Sequence, residues 1–418
     1  MRDITPPIGI ELVGYHRPFP SNSILDPLMA TAFALESDDA GAILVSVDNA
    51  GMLVAHTSEI RQRIADHLGL STASVMVCFS HTHSGPETLD GKPEWVAYRR
   101  SLSDRVVAAA CEAWRSRRRC RLGWGVTRAS IGVNSRELGP DGKARMGVNP
   151  DGPLDDRVGV LRIDDAESGS LLGIVIVCSA HANVLQGDSL AISGDYIGWT
   201  RSLLSKDLNC PVGFVIGSAG NVNPLHRGSI SDLDTTARIL RGAVLPVLGQ
   251  IKPREISVLW SQSSVLNMRL TRLPCYEEAV KKAAIAAKEW GVDTTPWLQA
   301  VIDLLARGIY DLEMDLGVQL MRINDGFIAG IPMEPFTEIA IEVARRVGSD
   351  TAFFCGYVNG YLGYLPTEQE YHRGGYQVEW NPVVYGPEVG GFLMSPVPET
   401  ADHVAEKVLW LAKRSQPG

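Results

Sequence analysis

Ser74-Val75-Met76-Val77-Cys78-Phe79 runs directly into Ser80-His81-Thr82-His83-Ser84-Gly85-Pro86. An unbroken β-branched and apolar run closed by a Gly-Pro turn reads as a short buried strand emptying into a loop. If the extended conformation persists beyond Phe79, His81 and His83 point the same way, because side chains repeat every two residues on a strand. Imidazole binds zinc, copper, iron or nickel, so the pair suggests a metal site. Taken alone, it reads first as a surface histidine beside a hydrogen-bonded one, and second as a pair of ligands.

Three more stretches repeat the pattern. Leu171-Leu172-Gly173-Ile174-Val175-Ile176-Val177-Cys178 is followed three residues later by His181. Val212-Gly213-Phe214-Val215-Ile216 empties into Gly217-Ser218-Ala219-Gly220-Asn221-Val222-Asn223-Pro224. Phe327-Ile328-Ala329-Gly330-Ile331 ends at Pro332-Met333-Glu334-Pro335. Ligands of open α/β sheets gather beyond the carboxyl ends of the strands. Two histidines and a carboxylate converging there match the three protein ligands of a catalytic zinc, with one position left open. The expected fold is α/β: a mixed sheet core with flanking helices and a metal site at the strand C-terminal ends.

The 418 residues allow one large α/β domain or two smaller ones. A single domain over 1–418 is expected, with a helical insertion at about 275–315. The net charge of −9 argues against nucleic acid, which needs a basic stripe. The basic run Arg115-Ser116-Arg117-Arg118-Arg119 reads as a solvated helix end. Seven scattered cysteines without a Cys-x-x-Cys pair suggest a reducing compartment and no disulfide framework. No secretion signal and no apolar run of membrane-spanning length is visible. A cytoplasmic protein is expected.

Strands are expected at 29–36, 41–47, 121–133, 157–163, 256–270 and 317–331. Helices are expected at 57–68, 93–119, 196–207, 232–249, 276–290, 296–308, 338–347 and 401–413. Residues 134–156, rich in glycine, proline and asparagine, read as a long loop, a length often associated with function or disorder. Gly-x-Ser-x-Gly, the Gly-x-x-x-x-Gly-Lys-Ser/Thr loop, Gly-x-Gly-x-x-Gly and His-Glu-x-x-His are all missing from the sequence. The chemistries those motifs carry are therefore disfavoured.

Ordered blocks over most of the chain resemble the neutral/alkaline, non-lysosomal ceramidase family, specifically its N-terminal catalytic domain. They comprise Asp3-Ile4-Thr5-Pro6-Pro7 with Gly14-Tyr15, Thr82-His83-Ser84-Gly85-Pro86, Ser193-Gly194-Asp195 and Gly220-Asn221-Val222-Asn223-Pro224. Pro332-Met333-Glu334-Pro335-Phe336-Thr337 and Asn359-Gly360-Tyr361-Leu362-Gly363-Tyr364 follow, with Thr367, Glu370-Tyr371 and Tyr376. The resemblance implies one Zn2+ held by His81, His181, Glu334 and Tyr364, with Tyr361 the alternative tyrosine. It implies that His83 and Tyr376 face the scissile amide and take catalytic parts, and that Arg136 contacts substrate. Asn223 stands where the family has a serine proposed as catalytic, and Asn221 where it has an aspartate. A route needing that hydroxyl is unavailable; metal-activated water remains, and Asn223 becomes a substrate-orienting group. The family's C-terminal immunoglobulin-like domain is expected to be missing, which makes membrane ceramide a doubtful substrate.

The expected function is a zinc-dependent hydrolase of an amide bond in a small or amphiphilic, lipid-like substrate. The alternatives are an ester or lactone hydrolase at the same metal and a non-catalytic metal- or ligand-binding homologue. No nucleic-acid partner and no transmembrane segment are expected; self-association is left open. Asp48 reads as a structural acceptor, and Asp195 as a helix cap.

Overall fold

The computed structural model describes residues 1–387 and 391–416. Three four-stranded sheets build the body. The first runs Arg2–Asp3, Met29–Glu36, Gly41–Val47, Val75–Phe79, and its last pair is parallel. The second runs Val212–Ile216, Leu171–Cys178, Arg157–Asp165, Cys120–Arg128, and its first pair is parallel. The third runs Leu259–Arg269, Glu313–Ile323, Gly326–Gly330, Ala352–Cys355, closing on a parallel pair. The architecture is mixed α/β, with helices against the sheets.

The two-residue period explains why these strands are apolar throughout. Val75, Val77 and Phe79 face a core shared with helices Val54–Leu68 and Pro93–Arg115, whereas Met76 and Cys78 face the opposite way. There they meet Val175 and Val177 of the second sheet and Ile328 and Phe353 of the third. Ile174 and Ile176 return to the first core, while Phe327 and Ala329 enter a third. The inner faces of all three sheets thus pack together, and the outer faces carry helices. Strands buried on both faces have no polar alternation to show. Each fully buried Val, Ile or Phe adds about 1.5–3 kcal/mol of apolar transfer free energy.

The strands Val75–Phe79, Leu171–Cys178, Val212–Ile216 and Gly326–Gly330 release the segments that carry the candidate site. Residues outside the strands stitch the sheets together there, through the bridges Cys78–Val358 and Gly217–Cys355. Helices Tyr276–Trp290 and Thr295–Ala306 leave the third sheet between strands Leu259–Arg269 and Glu313–Ile323, which pair along their whole length. Trp297 is buried, and its Nε1 donates to Leu393 O at 2.7 Å, fixing this helical hairpin against the C-terminal segment.

Four local expectations change: the strand expected over 121–133 ends at Arg128, and a separate strand starts at Gly132. Residues 134–156 are not one loop, because Gly132–Leu138 and Ala144–Asn149 form an antiparallel hairpin. Its second strand is short, glycine-containing and largely solvent-facing, so apolar run length gave no signal. The expected strand 317–331 is two antiparallel strands, with Asn324 left-handed at the turn (φ +52°). Asparagine tolerates that conformation better than most non-glycine residues. The helix expected over 93–119 ends at Arg115; Arg117, Arg118 and Arg119 lie beyond it and pair with Glu36, Asp165 and Glu255. Among the described residues the cysteines are free, and no helix is long and apolar enough to cross a membrane.

Candidate metal centre

His81 does not continue the strand before it. Its φ of +55° is left-handed, so the simple strand parity expected for His81 and His83 fails. Such a backbone costs on the order of 1 kcal/mol or more outside glycine and needs support. The support is local: His81 N donates to Asn49 O at 2.9 Å, and His81 Nδ1 pairs with Ala50 O at 2.7 Å. The turn still delivers both imidazoles to one place, with His83 Nε2 3.2 Å from His81 Nε2. His83 N donates to Ala182 O at 3.0 Å, which lays this segment beside the one carrying His181.

His181 is pinned in the same manner as His81. Its Nδ1 lies 2.6 Å from Ala219 O and 3.2 Å from Val222 O. With each Nδ1–H donated to a carbonyl, Nε2 is the free coordinating atom of both rings. The two Nε2 atoms converge on Glu334 Oε2, at 3.4 Å from His81 and 2.9 Å from His181. Ring nitrogens this close to a carboxylate oxygen require positive charge between them, supplied by a proton on a ring or by a bound metal ion. Ligands about 2.0–2.1 Å from a tetrahedral zinc stand about 3.3 Å from one another, close to the spacings found here. The nitrogen donors of His81, His83 and His181 lie within 4.8 Å of one another. His83 differs in one respect: among the described residues its buried Nδ1 has no hydrogen-bond partner of the kind that orients the other two rings.

Glu334 is set by two short contacts. It pairs in parallel with Tyr364, and its N–H donates to Gly363 O at 2.8 Å. Gly220 passes so close that a Cβ there would lie 2.3 Å from Glu334 O. Tyr357 and Tyr361 donate to the carboxylate, at 3.1 Å to Oε2 and 2.7 Å to Oε1. Tyr357 also stacks on the His81 ring, 4.1 Å between centroids. Nothing in the sequence singled out Tyr357, which sits inside an apolar stretch. Burial pushes the Glu334 carboxyl upward, but His81 and His181 outweigh it and hold the group well below the usual carboxylate range. Burial, followed by the neighbouring imidazoles His81 and His181, holds the His83 imidazolium well below its usual pKa.

The remaining expected residues separate into two groups. Tyr364, Tyr376 and Asn223 line the same cavity of about 660 Å³ as the three histidines and Glu334. Tyr364 and Tyr376 meet edge-on at 6.1 Å between centroids, and Asn381 Nδ2 donates to Tyr376 OH at 3.5 Å. Asn223 Oδ1 accepts from Asn183 Nδ2 at 3.2 Å. Arg136, expected to contact substrate, lies behind the cavity wall formed by Ser135 and Gln377 rather than on it. It is buried, with Nε on Glu370 Oε2 at 2.7 Å, Nη1 on Gln377 Oε1 at 3.1 Å and Nη2 on Gly374 O at 2.6 Å. The guanidinium clamps segment 370–377, which carries Tyr376. Asn221 is equally committed: it accepts from Thr337 N at 2.8 Å and donates to Glu338 Oε2 at 2.8 Å, holding the helix that follows Glu334.

Asp48 is the structural acceptor expected, bonded to Met29 N and Arg201. Asp195 opens helix Asp195–Leu208 and accepts from Val184, Leu185 and Tyr196 N–H groups. Asn183 also lines the cavity. Its spacing after His181 repeats that of His83 after His81, a signal present in the sequence.

Fold and site define a mixed α/β protein whose strand ends gather imidazoles, a carboxylate and phenols around a point suited to one cation. No family model matches the chain. A curated relative, the neutral ceramidase of Pseudomonas aeruginosa, is 24% identical over 437 aligned residues, covering 86% of this chain. The chain spans 64% of that relative's length. The crystal structure of the P. aeruginosa neutral ceramidase superposes with a TM-score of 0.71 at 19% identity, covering 100% of this chain and 74% of that one. A ceramidase structure complexed with C2 gives 0.72 at 18% identity, covering 100% and 75%. The fold is shared with these structures, and the sequence match supports a family relationship with the neutral ceramidases.

Proposed function

We propose that this protein is a hydrolase that cleaves the amide bond of an amphiphilic substrate at a single zinc ion. The convergence of two backbone-pinned imidazoles and Glu334 carries the reading. His81, His181 and Glu334 would hold the ion. Tyr364 would complete the set, because Tyr361 and Tyr357 already spend their hydroxyls orienting Glu334. When bound, zinc supplies Lewis acidity that polarises a carbonyl and makes water nucleophilic near neutral pH.

His83 is assigned to the proton rather than to the metal. Its Nδ1 has no anchoring bond among the described residues, and burial favours the neutral ring, so Nε2 can accept a proton and deliver it to the leaving nitrogen. Tyr376 OH is the donor assigned to the oxyanion, an interaction worth roughly 3 kcal/mol in comparable sites. Asn223 orients the substrate from the cavity wall. The relative's name indicates a lipid amide, and the cavity's tryptophans and valines suit an acyl chain.

The test is metal analysis of the purified chain together with turnover of amides, esters and lactones before and after chelation. About one zinc per chain and chelation-sensitive release of amine are expected, both lost in His81→Ala. Retention of metal and turnover by that variant refutes the assignment, and preference for lactones over amides would move it to the ester class.

A further inference from the structure

One cation of the cavity wall has no part in the chemistry above. Arg227 follows strand Val222–Pro224, is half-buried, and lines the cavity. Its Nη2 donates to Tyr15 OH at 2.8 Å and its Nε to Asn183 O at 3.3 Å. The buried guanidiniums Arg136, Arg157 and Arg201 each hold a carboxylate: Glu370, Asp155 and Asp48. Among the described residues Arg227 forms no such pair. Arginine stays charged and offers five donors, so the rest of its fork is open to an anion. The loop is fixed immediately afterwards by Ser229, whose Oγ accepts from Asp232 N at 3.1 Å to cap helix Ile230–Gln250.

A second orphan lies beside it. Asn183 is 3% exposed; its Nδ2 is used by Asn223, and its Oδ1 has no partner among the described residues. A buried acceptor left empty is costly, and a ligand N–H would satisfy it. Tyr15 ties this corner to the reacting centre, its ring 5.1 Å from that of His83. Trp290 stands on the other flank, 5.9 Å from the Tyr376 ring, where Val292, Trp297, Val383 and Val384 continue an apolar wall. Of the carboxyls lining the cavity, Glu87 is held toward its neutral form by burial, and Asp293 sits in the helical hairpin with the tryptophans.

Building on the amide-hydrolase reading, we propose that the substrate is an N-acylated α-amino acid: Arg227 binds its carboxylate, Asn183 Oδ1 accepts its amide N–H, and its acyl chain lies along the Trp290 wall. In an N-acyl amino acid a single carbon separates the N–H from the carboxylate, which suits a cation and an acceptor held side by side. Hydrolysis forms a bond from water oxygen to the acyl carbon and breaks the C–N bond. The nitrogen takes the proton, leaving a fatty carboxylate and a free amino acid.

The test uses the full chain. N-dodecanoylglycine and the uncharged N-dodecanoylglycinamide are titrated calorimetrically into metal-free protein, and dodecanoate release by zinc-loaded protein is followed in parallel. A hydrogen-bonded charge should favour the glycine compound by about ten-fold or more. Arg227→Gln should bring the two within about two-fold, and Arg227→Lys should keep part of the preference. Equal binding, binding of neither, or a preference that survives in folded R227Q overturns the proposal. If R227Q does not fold, the native ratio and the partial preference of Arg227→Lys decide. Turnover of uncharged amides without carboxylate preference sinks this inference and leaves the hydrolase reading standing. Carboxylate-selective binding without turnover supports the Arg227 site and sinks the hydrolase reading.

Discussion

Arg136→Met separates the two parts this arginine could play. The side chains of Arg136 and Glu370 are 3% and 4% exposed, and their Nε–Oε2 distance is 2.7 Å. Methionine keeps much of the volume but removes the charge and the bonds to Gln377 and Gly374. Breaking a buried ion pair from one side typically costs 3–5 kcal/mol, because the other charge stays buried and uncompensated. Glu370 also contacts half-exposed Arg373, so the lower end, about 3 kcal/mol, is expected. That is a large share of a typical stability of about 5–15 kcal/mol. Urea denaturation with the slope checked for constancy measures it. Arg136→Met/Glu370→Leu should recover part of the loss, since removing both charges leaves none unpaired. A loss below about 1 kcal/mol, or a rise in KM at unchanged stability, would refute the buried-clamp assignment and restore substrate contact for Arg136.

Three further outcomes are expected. Tyr361→Phe should weaken zinc binding by about 10–100-fold through loss of its bond to Glu334, and Tyr364→Phe should weaken it more; competition with a chromophoric chelator ranks them, and the reverse order would exchange their parts. Gly14→Ala should destabilise the chain by at least about 1 kcal/mol and depress kcat, because Gly14 has φ +89° and a Cβ there would lie 2.3 Å from His83 Cγ; thermal melts and kinetics matching the unsubstituted chain would contradict this contact. Burial pushes the Asp26 carboxyl from 3.8 up to about 6. The folded state therefore binds this proton more tightly than the unfolded one, so its contribution is present below about pH 4 and is lost as pH rises through about 6. The difference corresponds to about 3 kcal/mol, and Asp26→Asn should flatten the stability slope between pH 4 and 6; an unchanged slope would show that Asp26 does not titrate there.

What could be read from the chain was periodicity and its interruption. Val75–Phe79, Leu171–Cys178 and Val212–Ile216 are apolar without alternation because both faces are buried, and that property is local to each stretch. His81, His181 and Glu334 stood out because each follows such a run within a few residues. The hairpin Gly132–Leu138 and Ala144–Asn149 has no such local signature, because its second strand is mostly solvent-facing and its pairing depends on a partner rather than on apolar run length. Asn221 and Arg136 carried chemical types suited to a site, yet their neighbours commit them to architecture.

By itself, the sequence determined the strand interiors, the abrupt polar exits after them and the mixed α/β class, because burial on two faces is written in consecutive residues. Only the tertiary structure decided which exits meet. The left-handed turn at His81, the pairing of Glu334 with Tyr364 and the placement of Tyr357, Arg227 and Asn183 are set by contacts between residues tens to hundreds of positions apart. No local pattern records such contacts, since the free energy of each depends on a neighbour that the chain supplies only after folding.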